Sequence, residues 1–108
     1  MKNISFEYDY GANYLIVHKN KPAKASIELG EIIVDIDKYN QVTAVEIMNP
    51  DKLFGIPKKA LKNIDEAKIR TEYRDGMFWI FLILRIGKET RPISIPLFLE
   101  QPALAASA

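Results

Sequence analysis

The residues best suited to metal chemistry are three carboxylates that lie close together in the sequence. They are Asp35, Asp37 and Glu46, and the strand pattern around them predicts a hairpin with all three on one face. Hard divalent cations favour clustered oxygen ligands, so a magnesium or calcium site in a metal-dependent hydrolase is one interpretation. Neither calcium-loop spacing nor a pair of histidines accompanies these residues. We therefore favour the alternative, in which they form turns and are solvated on an exposed sheet face.

The residues that could act as nucleophiles or general bases occur without the neighbours that such roles require. His18 is the only histidine, and the predicted pairing puts the unreactive Asn3 opposite it. Ser5, Ser26 and Ser94 lack an elbow or triad context, and the chain has neither cysteine nor a glycine-rich phosphate loop. We predict no catalytic residue and no cofactor, and the sequence favours a non-enzymatic protein.

A stripe of large apolar residues is the feature that most needs an explanation. In the strand that follows Asp75-Gly76, alternation puts Met77, Trp79, Phe81 and Ile83 on one face, which we call the apolar stripe. Exposing four adjacent groups of this size to water is costly, so we expect another layer to cover them. That layer is another part of the chain, a second copy in a homodimer, or a different protein or nucleic acid. We expect another chain, because Trp, Phe, Met and Arg are enriched at interfaces.

Basic residues beside the apolar stripe suggest an alternative function, which is binding of single-stranded nucleic acid. Trp79 and Phe81 would stack on bases, while nearby cations would contact phosphates. These cations are Lys68, Arg70, Arg74 and Arg85. The formal net charge of +1 argues against a large surface that follows a phosphate backbone. We therefore rank nucleic-acid binding below a small protein-interaction module that associates with itself or with a small protein partner.

The elements that must position these residues are mostly strands. Turn residues at Gly11, Asn40, Gly76 and Gly87 separate alternating segments. They predict a mostly β (α+β) domain over residues 1–99, with about eight strands in antiparallel hairpins. One short helix is expected near residues 57–63, where Pro57 suits its first turn. The small residues of positions 100–108 are expected to form a disordered tail.

The hairpin registers decide which residues share a face. We expect Tyr8 opposite Asn13, Asp37 opposite Val42, and Arg74 opposite Met77. Each register sorts apolar from polar side chains. Two prolines in the last strand, at positions 92 and 96, place that strand at a sheet edge.

Composition restricts the class of protein. The 108 residues are 48% hydrophobic, which is ordinary for one globular domain. The longest apolar run, Met77 to Leu84, is far shorter than the roughly 20 residues of a membrane-spanning helix. The first residues do not resemble a signal peptide. We therefore expect a cytoplasmic protein without a membrane partner.

The first half of the chain resembles the domain-of-unknown-function 2283 family. The resemblance covers residues 6–49 and rests on three motifs, Tyr8-Asp9 with Ala12-Asn13, Val34-Asp35-Ile36-Asp37, and Val45-Glu46-Ile47. The chain departs from the family pattern at Asn13, Ile16, Asn40 and Ala44. The resemblance implies no activity and no catalytic residues.

Overall fold

The computed structural model describes residues 5–97, which form eight strands and two short helices. In chain order these are β1 (Ser5–Asp9), β2 (Tyr14–His18), β3 (Ala25–Leu29), β4 (Ile32–Ile36), β5 (Val42–Met48), α1 (Pro50–Phe54), α2 (Lys58–Leu61), β6 (Glu66–Arg74), β7 (Met77–Ile86) and β8 (Glu89–Leu97). One antiparallel sheet has the strand order β1-β2-β5-β4-β3, and the other has the order β6-β7-β8. The predicted mostly β class and number of strands are confirmed. The predicted tail at residues 100–108 lies outside the described residues.

The turn of the first hairpin is displaced by one residue from the predicted position. Asp9 pairs with Tyr14, so the predicted pairing of Tyr8 with Asn13 is wrong. The reason is that Asn13 adopts a left-handed conformation with φ of 52° and belongs to the turn, where its N–H donates to the Tyr10 carbonyl. The displacement moves each partner by two residues, so the inward and outward faces remain as predicted.

The second hairpin of the first sheet has the predicted register over most of its length. Val34 pairs with Val45 and Asp35 with Ala44, but an irregularity then makes Ile36 the partner of Val42, so the predicted pairing of Asp37 with Val42 is wrong. The extra residue is Thr43, which is buried and donates its hydroxyl to the Asp35 carbonyl oxygen. A bulge of this kind leaves one residue without a cross-strand partner.

Two helices replace the single helix that the sequence predicts. α2 lies in the predicted region near residues 57–63, whereas α1 occupies a segment interpreted from the sequence only as a strand ending. Asn49 precedes α1 with φ of 55°, Pro50 begins it, and Gly55 ends it with φ of 68°. Phe54 and Leu61 are buried, so both helices pack on the core. Neither helix, in the part of the chain that the structure describes, is long and apolar enough to cross a membrane.

The second sheet has the predicted register throughout. Arg74 pairs with Met77 across the Asp75-Gly76 turn, where both turn residues have positive φ. Among the strands that the structure describes, β8 pairs with β7 alone, so its two prolines lie on an edge strand as expected.

A single hydrophobic core includes residues from both sheets and both helices. From the second sheet it includes Ile80, Leu82 and Leu84, which are fully buried. These residues alternate along β7 with the apolar stripe, so the stripe faces away from the core.

Candidate interaction surface

The apolar stripe lies on the outer face of the second sheet. Met77, Trp79, Phe81 and Ile83 are each partly exposed, and none belongs to the core or packs against it. The intervening core residues on the same strand have 0% exposure. No layer formed by residues 5–97 therefore covers the stripe. This removes the first of the three coverings considered from the sequence, as far as the described residues are concerned.

The central part of the stripe is a pair of stacked aromatic rings. The rings of Trp79 and Phe81 are stacked, with centroids 6.5 Å apart and planes 16° from parallel. The guanidinium of Arg70 lies over the Phe81 ring at 5.2 Å from its centroid. A cation at this distance is attracted by the negative face of the ring. The Arg70 guanidinium thus lies beside the paired rings on the same face.

The cations near the stripe are only partly available to bind anions. Arg74 forms an ion pair with Glu72 at 2.6 Å, and Arg85 contacts Asp65 at 3.7 Å and Glu66 at 3.3 Å. Lys68 and Arg70 form no ion pair with other described residues. Of the four cations predicted to contact phosphates, two are therefore already opposed by carboxylates. The surface carries mixed charge, which suits nucleic acid poorly.

The end of the β6–β7 hairpin extends beyond the first sheet. Residues 70–74 of β6 are all exposed, including Thr71 and Tyr73, whose side chains point to the inner side. Tyr73 is 57% exposed, although the sequence pattern groups it with core residues. Tyr73 therefore adds exposed apolar surface on the face opposite the apolar stripe. The sequence gives no signal for this, because it depends on where the first sheet ends.

Two of the three predicted metal ligands lie together on the outer face of the first sheet. The Tyr14 hydroxyl donates a hydrogen bond to Glu46, and the Ser26 hydroxyl donates to Asp35 at 2.7 Å. The hydrogen bond from Tyr14 lowers the pKa of Glu46, but burial and the Asp35 carboxyl outweigh it, so the pKa of Glu46 is raised. Burial, together with the hydrogen bond to Glu46, raises the pKa of Tyr14 to about 12.

The third predicted ligand, Asp37, is engaged in its own turn. Its carboxylate accepts the backbone N–H groups of Tyr39 at 2.8 Å and Gln41 at 3.0 Å. These bonds contribute to a lowered pKa for Asp37. Within residues 5–97, no group of three or more His, Asp or Glu side chains is arranged to hold a metal ion. The geometry therefore supports the turn interpretation of Asp37 over a three-carboxylate site.

The single histidine has no activating neighbour in the strand pairing. His18 lies opposite Ser5 on one side and Ala44 on the other, so the predicted pairing with Asn3 is wrong. Ser5 accepts a hydrogen bond from Asn20, and Ser94 lies on β8 opposite Phe81. These positions provide no nucleophile–base pair.

A polar network that sequence reasoning missed joins the first hairpin to α1. The Tyr8 hydroxyl donates to the Asn13 side-chain oxygen at 2.7 Å, and the Asn13 amide donates to Asn49 at 3.2 Å and to Asp51 at 2.9 Å. Asn49 in turn donates to the Glu31 carboxylate at 2.7 Å. Tyr8 lies in the first motif of the family resemblance, whereas Asn13 is a position at which the chain departs from the family pattern. The Tyr8 and Asn13 side chains thus help to join the first hairpin to α1.

Comparisons with known proteins find two relatives with modest similarity. The chain is 35% identical over 63 residues to an uncharacterised protein of Methanocaldococcus jannaschii, which is 56% of this chain and 54% of that protein. The match thus spans about half the length of that relative. The chain is 26% identical over 87 residues to a Methanosarcina mazei protein named "Putative hypoxanthine phosphoribosyltransferase", covering 80% of this chain and 71% of that protein. No protein-family profile and no solved structure gives a match.

Proposed function

We propose that this chain is a small non-enzymatic protein-interaction module that pairs with a second copy through the outer face of β6–β8. The observation that carries the proposal is the apolar stripe, which lies outside the core and has two stacked aromatic rings at its centre. Sheet faces of this kind are normally packed at about 10 Å against another layer. A second sheet from another copy supplies such a layer.

The charges around the stripe favour a second copy over a polyanion. The outward side chains of β6 have both signs, in the order Glu66, Lys68, Arg70, Glu72 and Arg74. A two-fold interface brings the same patch against itself, so a mixed-charge patch can match its own copy. Single-stranded nucleic acid would require cations without competing carboxylates.

Pairing through the face also agrees with the chemistry of the β8 edge. Proline lacks a backbone donor, so Pro92 and Pro96 limit extension of the second sheet by another strand at β8. The proposal therefore assigns the partner to the apolar face of the second sheet and not to its β8 edge. A cytoplasmic location is part of this proposal and agrees with a chain that contains no cysteine.

The proposal does not include the phosphoribosyltransferase activity that the name of the Methanosarcina mazei relative suggests. Nucleotide-binding α/β proteins bind their ligands at the carboxyl ends of parallel strands. All strand pairs among residues 5–97 are antiparallel, and the sequence has no glycine-rich phosphate loop. Family membership in the domain-of-unknown-function 2283 group likewise remains a prediction from the motifs.

Tryptophan fluorescence tests the proposal, because Trp79 is the only tryptophan. We expect blue-shifted emission that is protected from iodide at high protein concentration and becomes red-shifted and quenchable on dilution. Phe81→Lys should give red-shifted emission at every concentration, whereas the control Leu53→Lys should behave like the wild type. Emission that is red-shifted at all concentrations would refute self-pairing. A blue shift that requires added single-stranded RNA would assign the surface to nucleic acid instead.

A further inference from the structure

A cleft lies at one end of the first sheet, away from the apolar stripe. It is formed by the loop between β2 and β3 and the turn between β4 and β5, and has a volume of about 740 Å³. The Lys24 N–H donates to the Ile36 carbonyl at 2.7 Å, and the Asp37 N–H donates to the Gln41 carbonyl at 2.9 Å. These bonds tie the loop to the sheet and close the turn. The volume is in the range of ordinary small-molecule sites.

Positive charge in this lysine cleft exceeds negative charge. Lys21, Lys24 and Lys38 line it together with one carboxylate, that of Asp37. None of the three lysines forms an ion pair with another described residue. The Asp37 carboxylate already accepts two backbone N–H groups of its own turn. The cleft therefore has cations available to an anion and little competing negative charge.

A fourth lysine experiences this excess of positive charge. Lys19 is half-buried next to the cleft, and its backbone N–H donates to the Thr43 carbonyl. Burial, followed by the positive charge of Lys21, lowers the pKa of Lys19, and Asp37 offsets only part of the effect. An anion in the cleft would relieve the repulsion between the lysines.

The lining of the cleft also includes apolar and aromatic side chains. Tyr39 is 69% exposed, which makes it the most exposed large hydrophobic side chain of the described residues. Pro22 and Ala23 line the cleft together with Tyr39. The Lys38 ammonium lies 5.2 Å from the centroid of the Tyr39 ring. An aromatic face beside flexible cations suits a ligand that combines a flat ring with a phosphate.

We propose that the lysine cleft binds a small organic phosphate that carries a flat ring, of which a nucleoside monophosphate is the simplest example. The ring stacks on Tyr39, and the phosphate is held by Lys21, Lys24 and Lys38. This site shares no residue with the proposed self-association surface. It therefore goes beyond the proposed function, and neither depends on the other.

Nitrogen-15 amide chemical shifts of the full chain, titrated with AMP, adenosine or inorganic phosphate, test the proposal. AMP should cause saturable shifts in residues 21–24 and 37–41. Its affinity should be about tenfold or more above that of adenosine or phosphate, since stacking and charge act together. Lys21→Gln with Lys24→Gln should weaken AMP binding about tenfold or more, and Tyr39→Ala should reduce AMP to the affinity of phosphate.

A matched control separates this site from general attraction to lysine. Lys58 and Lys62 lie over the Tyr10 ring at 4.9 and 4.7 Å, so they present the same residue types elsewhere. Lys58→Gln with Lys62→Gln should leave AMP binding unchanged. The proposal is overturned if the shifts do not saturate or lie elsewhere. It is equally overturned if AMP binds no better than phosphate, or if the control variant loses as much affinity as the cleft variant.

Discussion

Replacing Glu46 by glutamine should stabilise the protein at neutral pH. Glu46 lies on the central strand of the first sheet, between Ile16 and Ile33, where it is partly buried. Its carboxylate accepts a hydrogen bond from the Tyr14 hydroxyl and lies next to the Asp35 carboxyl. When Glu46 is ionised, two neighbouring carboxylates repel each other in a poorly solvated place. Glutamine keeps an oxygen for Tyr14, carries no charge and adds an amide that can donate to Asp35.

The sign of the pH dependence follows from the raised pKa of Glu46. The folded protein holds the carboxyl proton more tightly than the unfolded chain does. The contribution of Glu46 to stability is therefore fully present below the pKa of the unfolded chain and is lost as pH rises through the raised pKa of the folded protein. At neutral pH the glutamine should gain roughly one hydrogen bond, about 0.5–1.5 kcal/mol. Each kcal/mol corresponds to about 4–8 °C in melting temperature for a domain near this size.

Urea unfolding followed by circular dichroism, from acidic to neutral pH, measures this difference. Glu46→Gln and the wild type should have similar free energies of unfolding at acidic pH, and the variant should become the more stable protein as pH rises. Glu28→Gln is the control, because Glu28 is exposed on the edge strand β3 of the same sheet. A variant that is less stable at neutral pH, or a difference that does not change with pH, would refute the reasoning.

Three further changes test other parts of the structure. Asn13→Asp replaces the amide that donates to Asp51 with a second carboxylate. Because the two carboxylates repel each other when ionised, calorimetry should show a lower melting temperature than the wild type at neutral pH and a smaller loss at acidic pH. A variant as stable as the wild type at neutral pH would contradict the role of this bond. Leu82→Ala should lower the free energy of unfolding, measured by urea denaturation, by about 2–5 kcal/mol, because Leu82 has 0% exposure. A loss below about 1 kcal/mol would place Leu82 outside the core. Tyr14→Phe should remove a component with a pKa of about 12 from the ultraviolet titration of the tyrosines, whereas loss of a component with the ordinary pKa of tyrosine would contradict the burial of its hydroxyl.

Local sequence signals were sufficient to predict the register and the faces of a sheet wherever the interactions that determine them are local. The register of the second sheet follows from Asp75-Gly76, because this dipeptide adopts the positive φ values of a tight hairpin turn. The alternation of apolar residues along β7 then separates the core face from the apolar stripe. The edge position of β8 follows from its prolines.

Contacts between distant residues explain what the sequence did not reveal. α1 begins after Asn49, whose left-handed conformation is held by a backbone bond to Asn13 at 2.9 Å and a side-chain bond to Glu31. The displaced first turn likewise depends on Asn13, which bonds to Asp51. Alternation puts Tyr73 on the inner face, but its exposure depends on the reach of the other sheet. Such tertiary effects leave little trace in a local pattern.

The sequence predicted part of the candidate site, namely the parts that depend on local pattern and not on contacts between distant residues. The sequence identified the members of the apolar stripe but left open whether another layer of the chain covers it. It also grouped Asp37 with Asp35 and Glu46, because strict alternation does not include the bulge at Thr43 or the bonds within the turn. Composition alone does not reveal that Arg74 and Arg85 are already opposed by carboxylates.

Sedimentation equilibrium tests the central claim, self-association through the apolar stripe, most directly. We predict a wild-type mass twice the 12.3 kDa of the chain, and a folded monomer for Trp79→Glu with Phe81→Lys. The double variant should keep its circular dichroism spectrum, because both side chains lie outside the core. The control Met48→Glu with Leu53→Lys alters two exposed apolar residues elsewhere and should remain a dimer. A monomeric wild type, or a double variant that remains a dimer, would contradict the account.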